Sequence, residues 1–272
     1  MTKVIVLIPV YKKKPDKPDL ISLLQCFKVL GNHPIILVAP EGLNTRSYEI
    51  LAQQHGLNSI ETTFFQKDYF SSDRGYNKLM LTKAFYERFT RFEYMLIYQL
   101  DAFVFADKLL DWCNRGYDYC GAPIFESGEF RLEDALVGNG GFSLRKVSAF
   151  LKFFSGERTI YSFRQLLRKK SVKKYPWRII PVLLMLLGWR NHPAYMVSKW
   201  QLNEDAFWCS GLNETNYSLK KPDAEEALEF SLEMFPSKGY QTTGKLPFGC
   251  HAWEHYEYES FWVPFIMKDS TV

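Results

Sequence analysis

Four short stretches of this sequence carry residue types that do chemistry. Asp101 follows an apolar run in Tyr98-Gln-Leu-Asp-Ala-Phe-Val-Phe105. A carboxylate directly after a buried strand serves no core. It is a hard ligand for Mg or Mn, which in turn holds a diphosphate, or it caps the next turn. Gly138-Asn-Gly-Gly141 precedes Phe142-Ser-Leu-Arg145. Three glycines in four residues either bring backbone close to a ligand or make a tight hairpin turn. The stretch is neither a Walker loop, since no Lys-Ser or Lys-Thr follows, nor a GxGxxG.

Asn203-Glu204-Asp205 opens the aromatic stretch Ala206-Phe-Trp208. Adjacent acids there cap a helix and complement its dipole, or one of them acts as general base on an acceptor hydroxyl. In Pro247-Phe-Gly-Cys-His-Ala-Trp-Glu254, His251 stands near Trp253, His255 and Tyr256. Its imidazole completes a metal site, contacts a phosphate or is structural. His255 shares its face if the stretch is helical. Cys250 is a nucleophile in principle, but no activating arrangement accompanies it. Without an HExxH motif, zinc is not indicated.

Such side chains need a scaffold. The apolar run Val4–Val10 reads as a strand covered on both faces. Asp19–Leu30 has helical spacing, ended by Gly31 and Asn32. Pro34–Ala39 is a second strand, Arg46–His55 a helix and Ser59–Phe65 a third strand. This order predicts a parallel sheet with right-handed crossovers. Tyr76–Phe89 reads as one helix, Tyr94–Leu100 as a strand with Asp101 at its carboxyl end, and Leu109–Arg115 as a short helix. A polar loop spans Glu126–Asp134. Helices follow over Lys146–Phe154 and near 223–235. In open α/β sheets ligands sit beyond the carboxyl ends of the strands.

The chain has 272 residues, 47% apolar and 24% charged, which excludes a disordered chain, a coiled coil and a collagen-like repeat. Aromatics at 17% serve as core or as stacking surfaces for planar and sugar-like ligands. Five cysteines without a CxxC pair make neither a zinc ribbon nor a disulfide scaffold. The first apolar run is too short for a signal peptide. These readings predict a cytoplasmic, reducing setting. The net charge of +4 is uneven, with residues 156–200 holding ten Lys or Arg against the single acid Glu157. Inside that segment the apolar run Ile179–Trp189 is too short to cross a membrane.

Together the blocks resemble a glycosyltransferase of the GT-A type. Val6-Leu-Ile-Pro-Val-Tyr11 resembles the first strand of family 2 transferases, and the Asp101 block their DxD metal motif. Val137–Arg145 resembles the glycine-rich donor and acceptor segment, and Asn203-Glu-Asp205 the xED catalytic-base segment. His251 falls where such enzymes place a late metal-binding His. The blocks QLDAFVF, DYCGAP, GNGGFSLR, NEDAFW and PFGCHAW, in this order from about residue 4 to 262, are similar to the bacterial family DUF5672. The pattern departs at Phe103, where the second DxD acid is missing; Asp107 is too far on to replace it.

The resemblance implies a GT-A-like, Rossmann-like α/β domain over 1–272, with a mostly parallel central sheet flanked by helices. Residues 1–105 would form the nucleotide-binding half, 106–155 and 201–272 the acceptor and catalytic half, and 156–200 a basic and apolar helical insertion. It implies a nucleotide-sugar donor held by Pro9, Val10, Tyr11, Glu41, Tyr76, Lys78, Gln99, Asp101, Asn139, Gly140 and Gly141. Mn or Mg would sit on Asp101 and His251. Asp205 would be the base, with Glu204 its supporting neighbour. The acceptor would be a glycan or lipid-linked glycan, as in bacterial surface polysaccharide synthesis, with no nucleic-acid partner. Residues 156–200, with Lys169, Lys170, Lys173 and Lys174, would meet an anionic membrane on its inner face. The alternatives are an inactive nucleotide-binding or membrane-docked scaffold and a sugar nucleotidyltransferase.

Overall fold

The computed structural model describes residues 2–169, 177 and 179–267; Lys170, Lys173 and Lys174 lie outside them. Five strands of the main sheet are β1 (Thr2–Pro9), β2 (Ile35–Pro40), β3 (Glu61–Phe65), β4 (Phe92–Tyr98) and, later in the chain, Phe142–Lys146. The short strands β5 (Phe103–Val104), β6 (Tyr119–Cys120), β7 (Pro123–Ile124) and β8 (Leu136–Val137) precede that last one, which is therefore β9. Two more follow, β10 (Ser231–Leu232) and β11 (Gly249–Cys250).

The main sheet runs β3-β2-β1-β4-β9-β6. Its first four strands are parallel, and β9 lies antiparallel between β4 and β6. Strand alternation divides β1 between two cores. Val4, Val6 and Ile8 face α1 (Lys17–Leu30), whose Leu23, Phe27 and Leu30 are fully buried. Ile5 and Leu7 face the opposite layer, with the aromatic cluster of Phe85, Tyr86, Phe150 and Trp208. Each large side chain so buried contributes about 1.5–3 kcal/mol. A capping box starts α1: Asp16 accepts from the Asp19 N–H at 3.1 Å, and Asp19 from the Asp16 N–H at 3.3 Å.

After α2 (Arg46–Gln54), the stretch expected as one helix over Tyr76–Phe89 forms two, α3 (Asp73–Met80) and α4 (Lys83–Glu87). Thr82 causes the break. Its hydroxyl donates to the Leu79 carbonyl at 2.8 Å, closing α3, and accepts from the Phe85 N–H at 3.3 Å, capping α4. Next come α5 (Leu109–Asn114) and α6 (Val147–Ser155). The basic segment holds α7 (Phe163–Lys169), α8 (Ile179–Leu186) and α9 (Pro193–Lys199). The turn α10 (Glu204–Ala206) leads straight into a wider π-helical turn, Phe207–Gly211. The helix expected near 223–235 ends at Phe230, because the chain then extends into β10.

A small second sheet, β10-β11-β5, governs the site. β11 pairs antiparallel with β5, Cys250 opposite Phe103. β10 pairs parallel with β11, Leu232 opposite Cys250. The residues just beyond these pairs, Asp101, Glu233 and His251, are thereby drawn to one place.

Candidate active site

A cavity of about 790 Å³ opens beyond the carboxyl ends of β1 and β4. Antiparallel pairing brings the amino end of β9 to the same edge, with Phe142 opposite Tyr98. The Gly138–Gly141 stretch is therefore not a hairpin turn, since it links β8, paired with β7, to β9 in the main sheet. The Gln99 N–H donates to the Gly141 carbonyl at 2.9 Å, tying the Asp101 loop to the glycines. The Gly141 N–H donates to Asn139 Oδ1 at 3.0 Å.

On this floor, Asp101 Oδ1 lies 3.2 Å from His251 Nε2. On the other side of the ring, His251 Nδ1 lies 3.4 Å from Glu233 Oε1. Burial opposes charge on the ring, but Asp101 and Glu233 outweigh it and raise the imidazolium to about 10. Burial likewise pushes the Asp101 carboxyl up, and His251 more than reverses this, leaving it below its ordinary value. Asp101 Oδ1 is buried and paired with the His251 ring, whose Nε2 also lies 3.2 Å from Gln99 Oε1. A divalent cation here would take the place of the Nε2 proton, with the Asp101 carboxylate and the neutral ring as its protein ligands. Among the described residues no group of three or more His, Cys, Asp or Glu is arranged to hold a metal ion. A cation here would thus draw two ligands from the protein.

Two consecutive glycines divide the floor. A Cβ on Gly141 would lie 1.9 Å from His251 Nε2, and one on Gly140 would lie 2.5 Å from Glu204 Oε1. Gly141 thus abuts the Asp101–His251 pair, and Gly140 the Glu204–Asp205 pair. The two acids differ in setting. Glu204 is buried and grips Arg145 with both oxygens, at 2.6 and 3.1 Å, while Tyr86 Oη accepts from the same guanidinium at 3.1 Å. Glu204 outweighs burial at Arg145 and holds the guanidinium charged, whereas burial outweighs Arg145 at Glu204 and leaves its carboxyl above the ordinary range. The Glu204 N–H donates to Asn77 Oδ1 at 2.6 Å, pinning α10 to α3. Asp205 has no such cation. Burial raises its carboxyl above the ordinary range, while the N–H groups of Ala206 and Gly140 pull it back. It faces the cavity as a carboxylate of raised basicity.

Of the residues singled out in the sequence, Pro9, Val10, Tyr11, Tyr76, Gln99, Asp101, Asn139, Gly140, Gly141, Glu204, Asp205 and His251 all line this cavity. Glu41 and Lys78 do not. Glu41 is exposed in the turn after β2, where its N–H donates to the Phe65 carbonyl of β3, one strand farther out. Lys78 follows Asn77 on α3 and is turned about 100° away from it into solvent, whereas Asp73, Tyr76 and Asn77 share the cavity face. His255 and His251 do not share a helical face, because 251–257 is turn and His255 is exposed. Cys250 is fully buried with its thiol raised well above the ordinary value, which removes it as a nucleophile. Asp107 turns away to His33, 2.8 Å from its Nε2.

Sequence reasoning missed Glu233, Asn77 and the Lys12–Asp19 pair at the mouth, where Lys12 Nζ donates to Asp19 Oδ2 at 2.8 Å. No signal in the sequence marks Glu233, because the strand before it is only Ser231–Leu232.

A mostly parallel sheet with its cavity at the switch from β1 to β4, and β9 running back beside it, is the GT-A glycosyltransferase fold. Two solved structures match the chain along nearly its whole length. An active-site mutant of LgtC has a TM-score of 0.53 at 12% identity, covering 97% of this chain and 94% of that one. The bifunctional glycosyltransferase WbbM, in its apo form, has 0.51 at 12% identity, covering 98% of this chain and 51% of that one. Core-mannan synthase A from Aspergillus fumigatus, in a Mn/GDP form, matches 58% of this chain with a TM-score of 0.42 and 11% identity. This chain spans 62% of that synthase. No curated protein sequence matches. The chain belongs to the family described as "Protein of unknown function (DUF5672)", whose profile matches residues 59–251.

Proposed function

We propose that this protein is a nucleotide-sugar-dependent glycosyltransferase acting on a hydroxyl of a glycan or lipid-linked glycan. One observation carries the reading: a single cavity at the sheet's carboxyl edge holds the Asp101–His251 pair on one side of Gly140 and Gly141 and the Asp205 carboxylate on the other. The volume falls in the range of small-molecule and cofactor sites.

Asp101 and His251 would hold a divalent cation. When bound, it supplies positive charge for a departing diphosphate. The ends of β1 and α3 flank the nucleotide, with Tyr11 and Tyr76 offering rings to it. Gly140 and Gly141 let backbone pass close to the sugar. Asp205 takes the proton of the acceptor hydroxyl as its oxygen bonds to the anomeric carbon. The bond from that carbon to the diphosphate oxygen breaks, and its electron pair leaves with the nucleoside diphosphate. Glu204 touches Arg145 rather than the reacting atoms, so it positions α10 and the base.

A thermal-shift screen of nucleotide sugars with and without manganese, followed by product analysis, tests this. Release of a nucleoside diphosphate from one donor, faster with acceptor present, is expected. Pyrophosphate as product would make the protein a nucleotidyltransferase. Binding without turnover would make it a nucleotide-binding module.

A further inference from the structure

A surface helix normally turns its apolar stripe toward the core. α8 does the reverse. Ile180, Leu183, Leu184 and Leu187, spaced i, i+3, i+4 and i+7, are 63%, 50%, 42% and 85% exposed. Only Val182 of α8 is buried. Helical bonding continues past Leu186, since the Leu187 N–H donates to the Leu183 carbonyl at 3.2 Å. Eight of the twelve exposed large hydrophobic residues among those described fall between 163 and 202. Single exposed leucines are ordinary, but a concentrated stripe marks an interaction surface.

We propose that this face docks on an anionic lipid bilayer. Charge selects the occupant. Residues 156–200 hold ten bases and one acid, and Arg164, Arg168, Arg190 and Lys199 are exposed. A second copy would bring the same positive charge against itself, whereas anionic headgroups complement it. Trp189 is half exposed at the end of the stripe, with the Arg190 guanidinium 4.3 Å from its ring centroid. An aromatic ring beside a cation suits the headgroup boundary. No described helix is long and apolar enough to cross a membrane, so α8 would lie in the interface plane. The chain runs from this face through α9 to Trp200, whose Nε1–H donates to the Asn203 carbonyl at 2.9 Å, immediately before the two acids. A membrane-held acceptor would therefore arrive near Asp205. That last step rests on the transferase reading; the docking does not.

The test is flotation of the full chain with vesicles of phosphatidylcholine, alone or mixed with phosphatidylglycerol. The protein should float with the mixed vesicles, stay down with the neutral ones, and detach as salt rises. Leu183→Glu with Leu187→Glu should cut the bound fraction about tenfold, with the circular dichroism unchanged. Leu110→Glu, at an exposed leucine elsewhere, should float as the parent does. Equal recovery with neutral vesicles, none with either, or undiminished flotation of the double variant overturns the proposal. A concentration-dependent dimer abolished by that variant, without flotation, would assign the face to a second copy instead. The assay contains no nucleotide sugar, so its failure leaves the transferase reading standing.

Discussion

Replacing Gly141 by alanine adds one methyl group where the site has no room. The new carbon would lie 1.9, 2.3 and 2.5 Å from Nε2, Cδ2 and Cε1 of His251. Ordinary contact begins near 3.5 Å, so roughly 1.5 Å of overlap must be relieved. Gly141 does not occupy the left-handed region, so the obstacle is space rather than backbone strain. Neither side yields easily. The Gly141 carbonyl accepts from Gln99, and the His251 N–H donates to the Leu232 carbonyl at 3.0 Å. The ring itself is held between Asp101 and Glu233. Cation ligands tolerate displacements of only about 0.2 Å, so the Asp101–His251 pair would no longer share one ion.

Overpacking of this kind costs about 1–3 kcal/mol, with roughly 2–4 °C of melting temperature per kcal/mol in a chain near this size. The expected outcome is therefore a folded Gly141→Ala protein, melting a few degrees lower, whose nucleoside diphosphate affinity by calorimetry no longer responds to manganese. A double-variant cycle isolates the contact. Once His251→Ala has removed the ring, adding Gly141→Ala should cost little more. Manganese-dependent affinity at the parental level in Gly141→Ala would refute both the shared cation and the geometry behind it.

Asp205→Asn should abolish transfer while sparing donor binding. Because the folded carboxyl sits above its unfolded value, ionisation at neutral pH works against folding, so the same variant should melt higher than the parent. For the same reason the acid limb of the rate profile should lie above the ordinary carboxylate range and move if donor geometry is kept but the base is changed to Glu. Glu204→Ala strands the fully buried Arg145 and should cost about 3–5 kcal/mol in a denaturant melt; a loss under 1 kcal/mol would mean the pair does not hold α10. Asp101→Asn should keep the fold and lose turnover by orders of magnitude, and full parental activity in EDTA would sink the metal role. Glu233→Ala should weaken manganese-dependent nucleotide binding, with Glu233→Gln retaining part of it; no change in either would mean that Glu233 does not hold the His251 ring for the cation.

The central sheet was legible because β1, β2 and β4 are largely apolar runs, and β1 through β4 fall within two residues of the expected bounds at every end. The chemical blocks were legible by residue type, yet nothing in their spacing says that they meet. Distant side chains converge here through strand pairings, and the decisive ones are two residues long, too short for any periodicity to register. That is why sequence reasoning singled out Asp101 and His251 but not Glu233, which lines the same cavity. Lys78 is the converse case: a charge in a promising block that α3 turns into solvent, outside the cavity lining.

Phe103 ties these observations together. It stands where a second metal-binding acid was sought, and its side chain is 2% exposed in the apolar cluster of Ile21, Leu228, Trp253 and Trp262. A carboxylate there would be buried without a partner, at a cost of several kcal/mol. The same residue is the β5 position that pairs with Cys250, and this pairing carries His251 to Asp101 and, through β10, Glu233 to His251. Extending the Asp101 loop into a buried strand removes the second acid and in the same step delivers an imidazole held by a second carboxylate. The missing acid is thus compatible with the proposed cation site, whose second ligand would come by strand pairing instead of by local sequence.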